Sequence, residues 1–238
     1  RLFGLNNQLK EFIDLFHKDK LPNKILLSGP KGIGKSTLSY HLINYILSIG
    51  EKYSYDLDNS TINEENRSFK LIKNKSNPNF TLIDINPKKK SIDINQIRDL
   101  IVNMNKSSFN NKLRFVLIDN IEFLNLNSIN ALLKILEEPT LNTHFILINN
   151  NKKLLSTIKS RCLNYKITLK NKDSVNICNQ LFDENIYNLI NEELLDYYFT
   201  PGKIYNLVQY SNENDINLKS LTLNDLLLLI IRNSHYKN

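Results

Sequence analysis

The chain has 238 residues, 41% of them hydrophobic and 23% charged, with a net charge of +7, proportions ordinary for a globular protein. That length holds one large domain or two modest ones around a real core. No apolar run approaches the roughly 20 residues that cross a bilayer, and no signal-peptide pattern is present, so a membrane-spanning helix is excluded. Cys162 and Cys178 make neither a disulfide framework nor a zinc site, which points to the cytoplasm, and His17, His41, His144 and His235 are scattered rather than clustered as ligands. The positive charge suits nucleic acid or an acidic partner, and a Lys-, Asn- and Ile-rich composition explains it equally well. The first residue is Arg1 rather than Met, which implies that something N-terminal is missing or removed.

Leu2-Phe3-Gly4-Leu5 leads into a helical pattern through Leu9, Phe12, Ile13 and Phe16, which Pro22 ends. Ile25-Leu26-Leu27 reads as a buried strand. It runs into Gly29-Pro30-Lys31-Gly32-Ile33-Gly34-Lys35-Ser36-Thr37, which fills every position of the phosphate-binding loop pattern. Glycines let the backbone wrap around phosphate oxygens so that several N–H groups point inward. Lys35 is placed to neutralise the β- and γ-phosphates, and the Ser36 hydroxyl to hold Mg²⁺. Leu38, His41, Leu42, Tyr45 and Ile46 predict a helix to Leu47, so the loop sits at a positive helix N-terminus.

Gly50 to Pro78 is polar and reads as a mobile surface insert with room for one short helix. Phe80 to Ile85 is a strand, followed by the basic turn Pro87-Lys88-Lys89-Lys90, either a contact for DNA phosphate or a solvated loop. Asp93 to Asn105 is a helix capped by Asp93 or Ser91, with Ile94, Ile97, Ile101 and Met104 on one face. Arg114 to Asp119 is an apolar strand ending in a carboxylate, the expected second ligand for Mg²⁺, direct or through water. Asn127 caps a predicted helix from Ser128 to Glu138, which Pro139 stops. His144 to Ile148 is the next strand, running into Asn149-Asn150-Asn151, and a last strand lies near Tyr165 to Leu169. Alternating strands and helices predict a parallel α/β sheet with helices on both faces. Beyond Lys170 the pattern turns helical, over Val175–Phe182, Ile190–Phe199 and Gly202–Tyr210. The final helix, Leu221 to Ile231, carries an apolar surface that would seek a partner.

The combination is more specific than any one motif. Gly29 to Thr37, Ile92-Asp93-Ile94-Asn95-Gln96-Ile97-Arg98, Phe115 to Asp119, Asn130-Ala131-Leu132-Leu133-Lys134-Ile135-Leu136-Glu137-Glu138-Pro139 and Thr157-Ile158-Lys159-Ser160-Arg161-Cys162 follow one another in order. In this the chain resembles the clamp-loader branch of the AAA+ ATPases, most closely the delta-prime subunits of bacterial DNA polymerase III. The resemblance is dense from about Gly4 to Ile167 and thin from Lys170 on.

It implies an AAA+ P-loop NTPase parallel sheet with flanking helices over residues 1–170, a small all-helical lid domain over 171–215, and a truncated or reduced collar-like start over 216–238. ATP with Mg²⁺ would be held by Gly29 to Thr37 and Asp119, with Asn149 or Asn150 sensing the γ-phosphate. Arg161 would be an arginine finger reaching a neighbouring subunit's ATP, where its charged fork can stabilise the γ-phosphate oxygens. The implied partners are motor gamma/tau and delta-type subunits in a hetero-pentamer, the sliding clamp, and primed DNA through the assembled complex, with no membrane.

Three departures bear on activity. Asn120 stands where the family's motors carry a Glu that orients the attacking water, and an amide is no general base. Glu122, two residues on, is expected to point elsewhere, and Lys203 sits where motors carry a sensing arginine. Residues 50–78 contain no cysteine, so no zinc module is carried over. These features predict a stator-like subunit that binds ATP and hydrolyses it poorly. The alternatives are a gamma/tau-type motor in which Glu122 or another carboxylate substitutes, and a stand-alone nucleotide-dependent enzyme such as a small kinase. The last would need an arginine-rich lid, where residues 170–238 offer only Arg232.

Overall fold

The computed structural model describes residues 1–86, 89–104, 112–140 and 142–232. Pro87 and Lys88 of the basic turn, Asn105 at the end of a predicted helix, and His235 lie outside the described residues. The chain forms two compact units. The first comprises residues 1–29 and 35–167, and the second residues 30–34 with those from 168 onward.

In the first unit the elements are α1 (Asn6–His17), β1 (Lys24–Ser28), α2 (Lys35–Leu47), α3 (Arg67–Lys73), β2 (Phe80–Ile83), α4 (Ile94–Met104), β3 (Arg114–Ile118), a 3₁₀ turn (Ile121–Phe123), α5 (Leu126–Glu137), β4 (Thr143–Asn149), α6 (Ser156–Lys159) and β5 (Leu163–Lys166). The strands form one parallel sheet in the order β2-β3-β4-β1-β5. Alternate side chains of a strand face opposite ways. Leu26, Ile83, Val116, Ile118, Phe145 and Leu147 pack with Ile97, Leu100, Leu132 and Leu136 of α4 and α5. Their neighbours Ile25, Leu27, Phe115, Leu117, Ile146 and Ile148 are buried as well. On that side Phe12 of α1 meets Tyr165, and Tyr40 of α2 meets Phe80. A sheet covered on both faces accounts for strands that are continuous apolar runs.

Several boundaries differ from the sequence reading for local reasons. The cap of α5 is Asn125, whose side chain accepts the Ser128 N–H at 2.8 Å, so Asn127 lies inside the helix. The final strand sits at Leu163–Lys166, ahead of the predicted Tyr165–Leu169. Residues 50–78 are not a loose insert. Asp56 and Thr61 form an antiparallel bridge, and α3 is capped by Asn66. Asn66 is fully buried, accepts from Phe69 N–H at 2.7 Å and Asn44 Nδ2 at 3.2 Å, and donates to the Tyr53 carbonyl at 2.8 Å.

The second unit holds α7 (Asn171–Phe182), α8 (Ile186–Leu189), α9 (Glu192–Tyr198), α10 (Pro201–Glu213) and α11 (Leu223–Arg232). The predicted helix Ile190–Phe199 is α9, which starts at Glu192 because Asn191 caps it, and the unpredicted short helix α8, capped by Asn185, precedes it. Residues 216–238, set apart by the sequence reading, do not stand apart through Arg232. Leu218 and Leu226 are buried in one core with Cys178, Ile186, Leu194 and Ile204.

Candidate functional site

Parallel sheets place functional loops at the carboxyl ends of their strands. The ends of β1 to β4 at this edge carry the candidate site residues. Gly29 follows β1, and its N–H donates to the Asn149 carbonyl at the end of β4 at 3.3 Å. β2 and β3 end alike, in Leu82-Ile83-Asp84 and Leu117-Ile118-Asp119, and pair in register with Ile83 opposite Ile118. Asp84 and Asp119 are therefore neighbours at the sheet edge. Asp84 was missed in the sequence, although the repeated Leu-Ile-Asp ending was the signal for it.

The first residues of α2 meet this edge. Lys35 is buried, and its Nζ donates to the Gly29 carbonyl at 2.9 Å, drawing the ends of the loop together. Burial pushes its pKa down to about 8, while the Asp119 and Glu122 carboxylates pull it upward. The Ser36 hydroxyl lies near the Asp119 carboxylate. Burial raises the Asp119 pKa, the nearby Ser36 hydroxyl opposes this, and the Asp84 charge raises it further. Tyr40, one turn along α2, has its phenol pKa raised by burial and by the same two aspartates. Ser36 and Asp119 thus present two hard oxygen ligands side by side, a donor set that suits Mg²⁺ carried by phosphate. A divalent cation there would favour the ionised carboxylate that burial disfavours. Gly32 and Gly34 of the loop are at φ +89 and +91, and Thr37 is exposed in the first turn of α2.

Asn120 has left-handed backbone, φ 56 and ψ 46. Its Nδ2 donates to Asp84 Oδ1 at 2.8 Å, and its Oδ1 accepts from Asn150 Nδ2 at 2.8 Å. The second hydrogen of Asn150 Nδ2 goes to Glu122 Oε1 at 3.0 Å. Glu122 does not point elsewhere, as its sequence position suggested: it bonds Asn150 and lies near enough to Lys35 to act on its charge. Asn149 is buried and closes a turn, donating to the Lys152 carbonyl at 3.0 Å and accepting the Lys152 N–H at 3.3 Å. Of the two adjacent asparagines, Asn150 is the one that joins Asn120 and Glu122.

Arg161 lies on the turn between α6 and β5. Its Nη1 donates to the Thr157 carbonyl at 3.0 Å, and its Nη2 pairs with Glu137 Oε1 at 2.5 Å. In the second unit the Lys203 ammonium sits over the Phe199 ring, 5.8 Å from its centroid. Among the described residues no group of three or more His, Cys, Asp or Glu side chains is arranged to hold a metal ion, and no helix is long and apolar enough to cross a membrane.

A family model described as "DNA polymerase III, delta subunit" matches residues 4–171, more than half of the chain. The chain belongs to that family. DNA polymerase III subunit delta' of Buchnera aphidicola subsp. Schizaphis graminum is 32% identical over 183 residues, covering 76% of this chain and 54% of the relative. Subunit gamma from the same organism is 27% identical over 237 residues, covering 93% and 61%. Subunit delta' of Pseudomonas aeruginosa is 32% identical over 139 residues, covering 58% and 40%. This member of the DNA polymerase III delta family therefore spans about half the length of the curated relatives it matches. Among solved structures, a Thermotoga maritima "dna polymerase iii, gamma subunit-related protein" superposes with a TM-score of 0.53 at 19% identity, over 87% of this chain and 57% of that one. The Thermotoga maritima "RUVB Holliday junction branch migration motor" gives 0.51 at 15% identity, over 90% and 63%. These likenesses, which are of fold alone, extend beyond the residues that the family model matches.

Proposed function

We propose that this protein is a delta-prime-type stator subunit of a bacterial DNA polymerase III clamp loader, acting in DNA replication in the cytoplasm. It binds ATP with Mg²⁺ through residues 29–37, Asp119 and Asn150, and turns it over poorly. It serves a hetero-pentamer of gamma/tau and delta-type subunits that places the sliding clamp on primed DNA. Lys35 meets the β- and γ-phosphates, and Ser36 and Asp119 hold the cation. Arg161 acts in trans on the ATP of a neighbouring motor subunit.

The observation that carries the poor turnover is the side chain of Asn120. Its amide is engaged on both sides, by Asp84 and by Asn150, and offers no carboxylate to take a proton from water. The test is the DNA- and clamp-stimulated ATPase of the reconstituted loader, with the native chain and with Arg161→Ala. A large drop with Arg161→Ala and little turnover by the chain alone support the stator; an unchanged loader rate with normal assembly removes the finger.

A second reading is supported by Glu122. Its hydrogen bonds to Asn150 and its influence on Lys35 bring a carboxylate to the site after all. In that reading the chain is a motor of the same complex, with Glu122 in the water-activating role. Turnover by the isolated chain that disappears with Glu122→Gln would favour it.

A further inference from the structure

Residues 30–34, the turn of the phosphate loop, fall in one compact unit with the helical residues. The contact is made by the start of α10. Gly202 N–H donates to the Gly32 carbonyl at 2.7 Å, and Thr200 Oγ1 donates to the Lys31 carbonyl at 2.9 Å. Thr200 has no exposed surface. The backbones meet as closely as glycine allows. A Cβ on Gly202 would lie 2.8 Å from Gly32 Cα, and one on Gly32 would lie 2.7 Å from Thr200 Oγ1.

A trans peptide is planar, with its C=O and N–H pointing in opposite directions. The carbonyl of Lys31 shares a peptide with the N–H of Gly32, and the carbonyl of Gly32 with the N–H of Ile33. Holding both carbonyls against α10 therefore aims both N–H groups the other way. An anion needs those donors and is repelled by carbonyl oxygen, so a single flipped peptide would turn an attraction into a repulsion.

We propose that Thr200 and Gly202 are positioning residues for the phosphates of a nucleoside triphosphate, holding the Lys31 and Gly32 carbonyls so that the Gly32 and Ile33 N–H groups stay turned toward the ligand. This rests on the reading of residues 29–37 as a nucleotide loop. It adds to it that two residues some 170 positions away in sequence set the loop's donors.

The test uses the whole chain and two readouts. One is the affinity for MgATP, by equilibrium dialysis. The other is amide hydrogen exchange of residues 31–34 without nucleotide. Thr200→Val removes the hydroxyl at constant shape and should weaken ATP binding about three- to tenfold, the worth of one hydrogen bond, while Thr200→Ser stays within about twofold of the native chain. Gly202→Ala, which must push the backbones apart, should weaken it by more than about tenfold. Thr200→Val and Gly202→Ala should both speed loop exchange in the nucleotide-free chain. Native affinity in these two variants overturns the proposal, and so does a Thr200→Ser chain as impaired as Thr200→Val. If Lys35→Ala binds ATP as the native chain does, the nucleotide reading itself fails. Loop exchange then decides alone: no change in Thr200→Val overturns the proposed hold on the loop, even should Gly202→Ala fail to fold.

Discussion

Asn120 donates its side-chain amide to Asp84 at 2.8 Å from a left-handed backbone conformation. Asparagine tolerates that conformation better than glutamate does. A glutamate there would also meet the Asp84 carboxylate as a like charge in place of a hydrogen bond. Asn120→Glu alone is therefore expected to leave ATP turnover low and to reduce stability by about 1–3 kcal/mol. Adding Asp84→Asn returns a donor opposite the new carboxylate and should recover most of that loss. Turnover and melting temperature of the single and double variants check this, and a rise in turnover with the single change would mean that the missing carboxylate was the whole defect.

The cation is expected to act through Ser36 and Asp119, whose side chains lie near each other. Asp119→Asn keeps shape and hydrogen bonding but removes the charge that a divalent ion needs. ATP affinity should then lose most of its dependence on Mg²⁺, so that chelation with EDTA changes the native chain's binding far more than the variant's. Lys35→Ala should abolish binding with or without Mg²⁺, because it removes the phosphate's own counter-charge. Equal Mg²⁺ dependence in native and Asp119→Asn chains would move the cation elsewhere.

Arg161 should separate function from stability. Its pair with Glu137 is partly solvated, with side chains 31% and 53% exposed, so it contributes about 0–1 kcal/mol. Arg161→Ala is thus expected to shift the melting temperature of the isolated chain by no more than about 4 °C. If the finger reading holds, the same change lowers the loader's ATPase by about 10³-fold or more. A large melting shift with a proportionate rate loss would make Arg161 a structural residue.

The sheet and the loop were legible in the sequence because each is carried by a local pattern. The strands are short apolar runs, and Gly29 to Ser36 has a fixed spacing. What could not be read depends on partners distant in the chain. Asp84 gains meaning only when β2 lies beside β3 in register, which brings it next to Asp119 and Asn120. Asn149 and Asn150 look interchangeable until the end of β4 directs one into a turn with Lys152 and the other onto Glu122. The polar stretch 50–78 resembled a loose loop because its anchors are asparagine, serine and glutamate, residues that sequence patterns assign to solvent.

Asn66 is the strongest of those anchors, with three hydrogen bonds and no exposed surface. Asn66→Ala leaves the Phe69 N–H, the Asn44 amide and the Tyr53 carbonyl without this partner and opens a small void. Stranded buried polar groups cost about 1–3 kcal/mol each before relaxation. A net loss of about 2–4 kcal/mol is expected, seen as a lower urea midpoint and as faster proteolysis within residues 50–78. Asn66→Asp should lie between, since it keeps the acceptor for Phe69 but loses the donor to Tyr53. A native-like Asn66→Ala chain would mean that the segment contributes little to the fold.

The same segment is held to α2 by His41, whose Nδ1 lies 2.7 Å from Tyr55 Oη. His41 is buried, and burial lowers its pKa from 6.5 to about 4. Between those values the unfolded chain takes up a proton that the folded chain refuses, so acidification favours unfolding. The stability lost is close to zero at pH 7, grows to about 2 kcal/mol at pH 5 and approaches about 3 kcal/mol below pH 4. His41→Gln cannot take up that proton, so its stability should fall less between pH 7 and 5, by about the same 2 kcal/mol. Urea unfolding of both chains at the two pH values isolates this contribution, because other titrating groups, His144 and Asp119 among them, are common to both. Parallel pH dependence in the two chains would mean that His41 gains its proton as readily in the folded state, and that its place against Tyr55 is open to water.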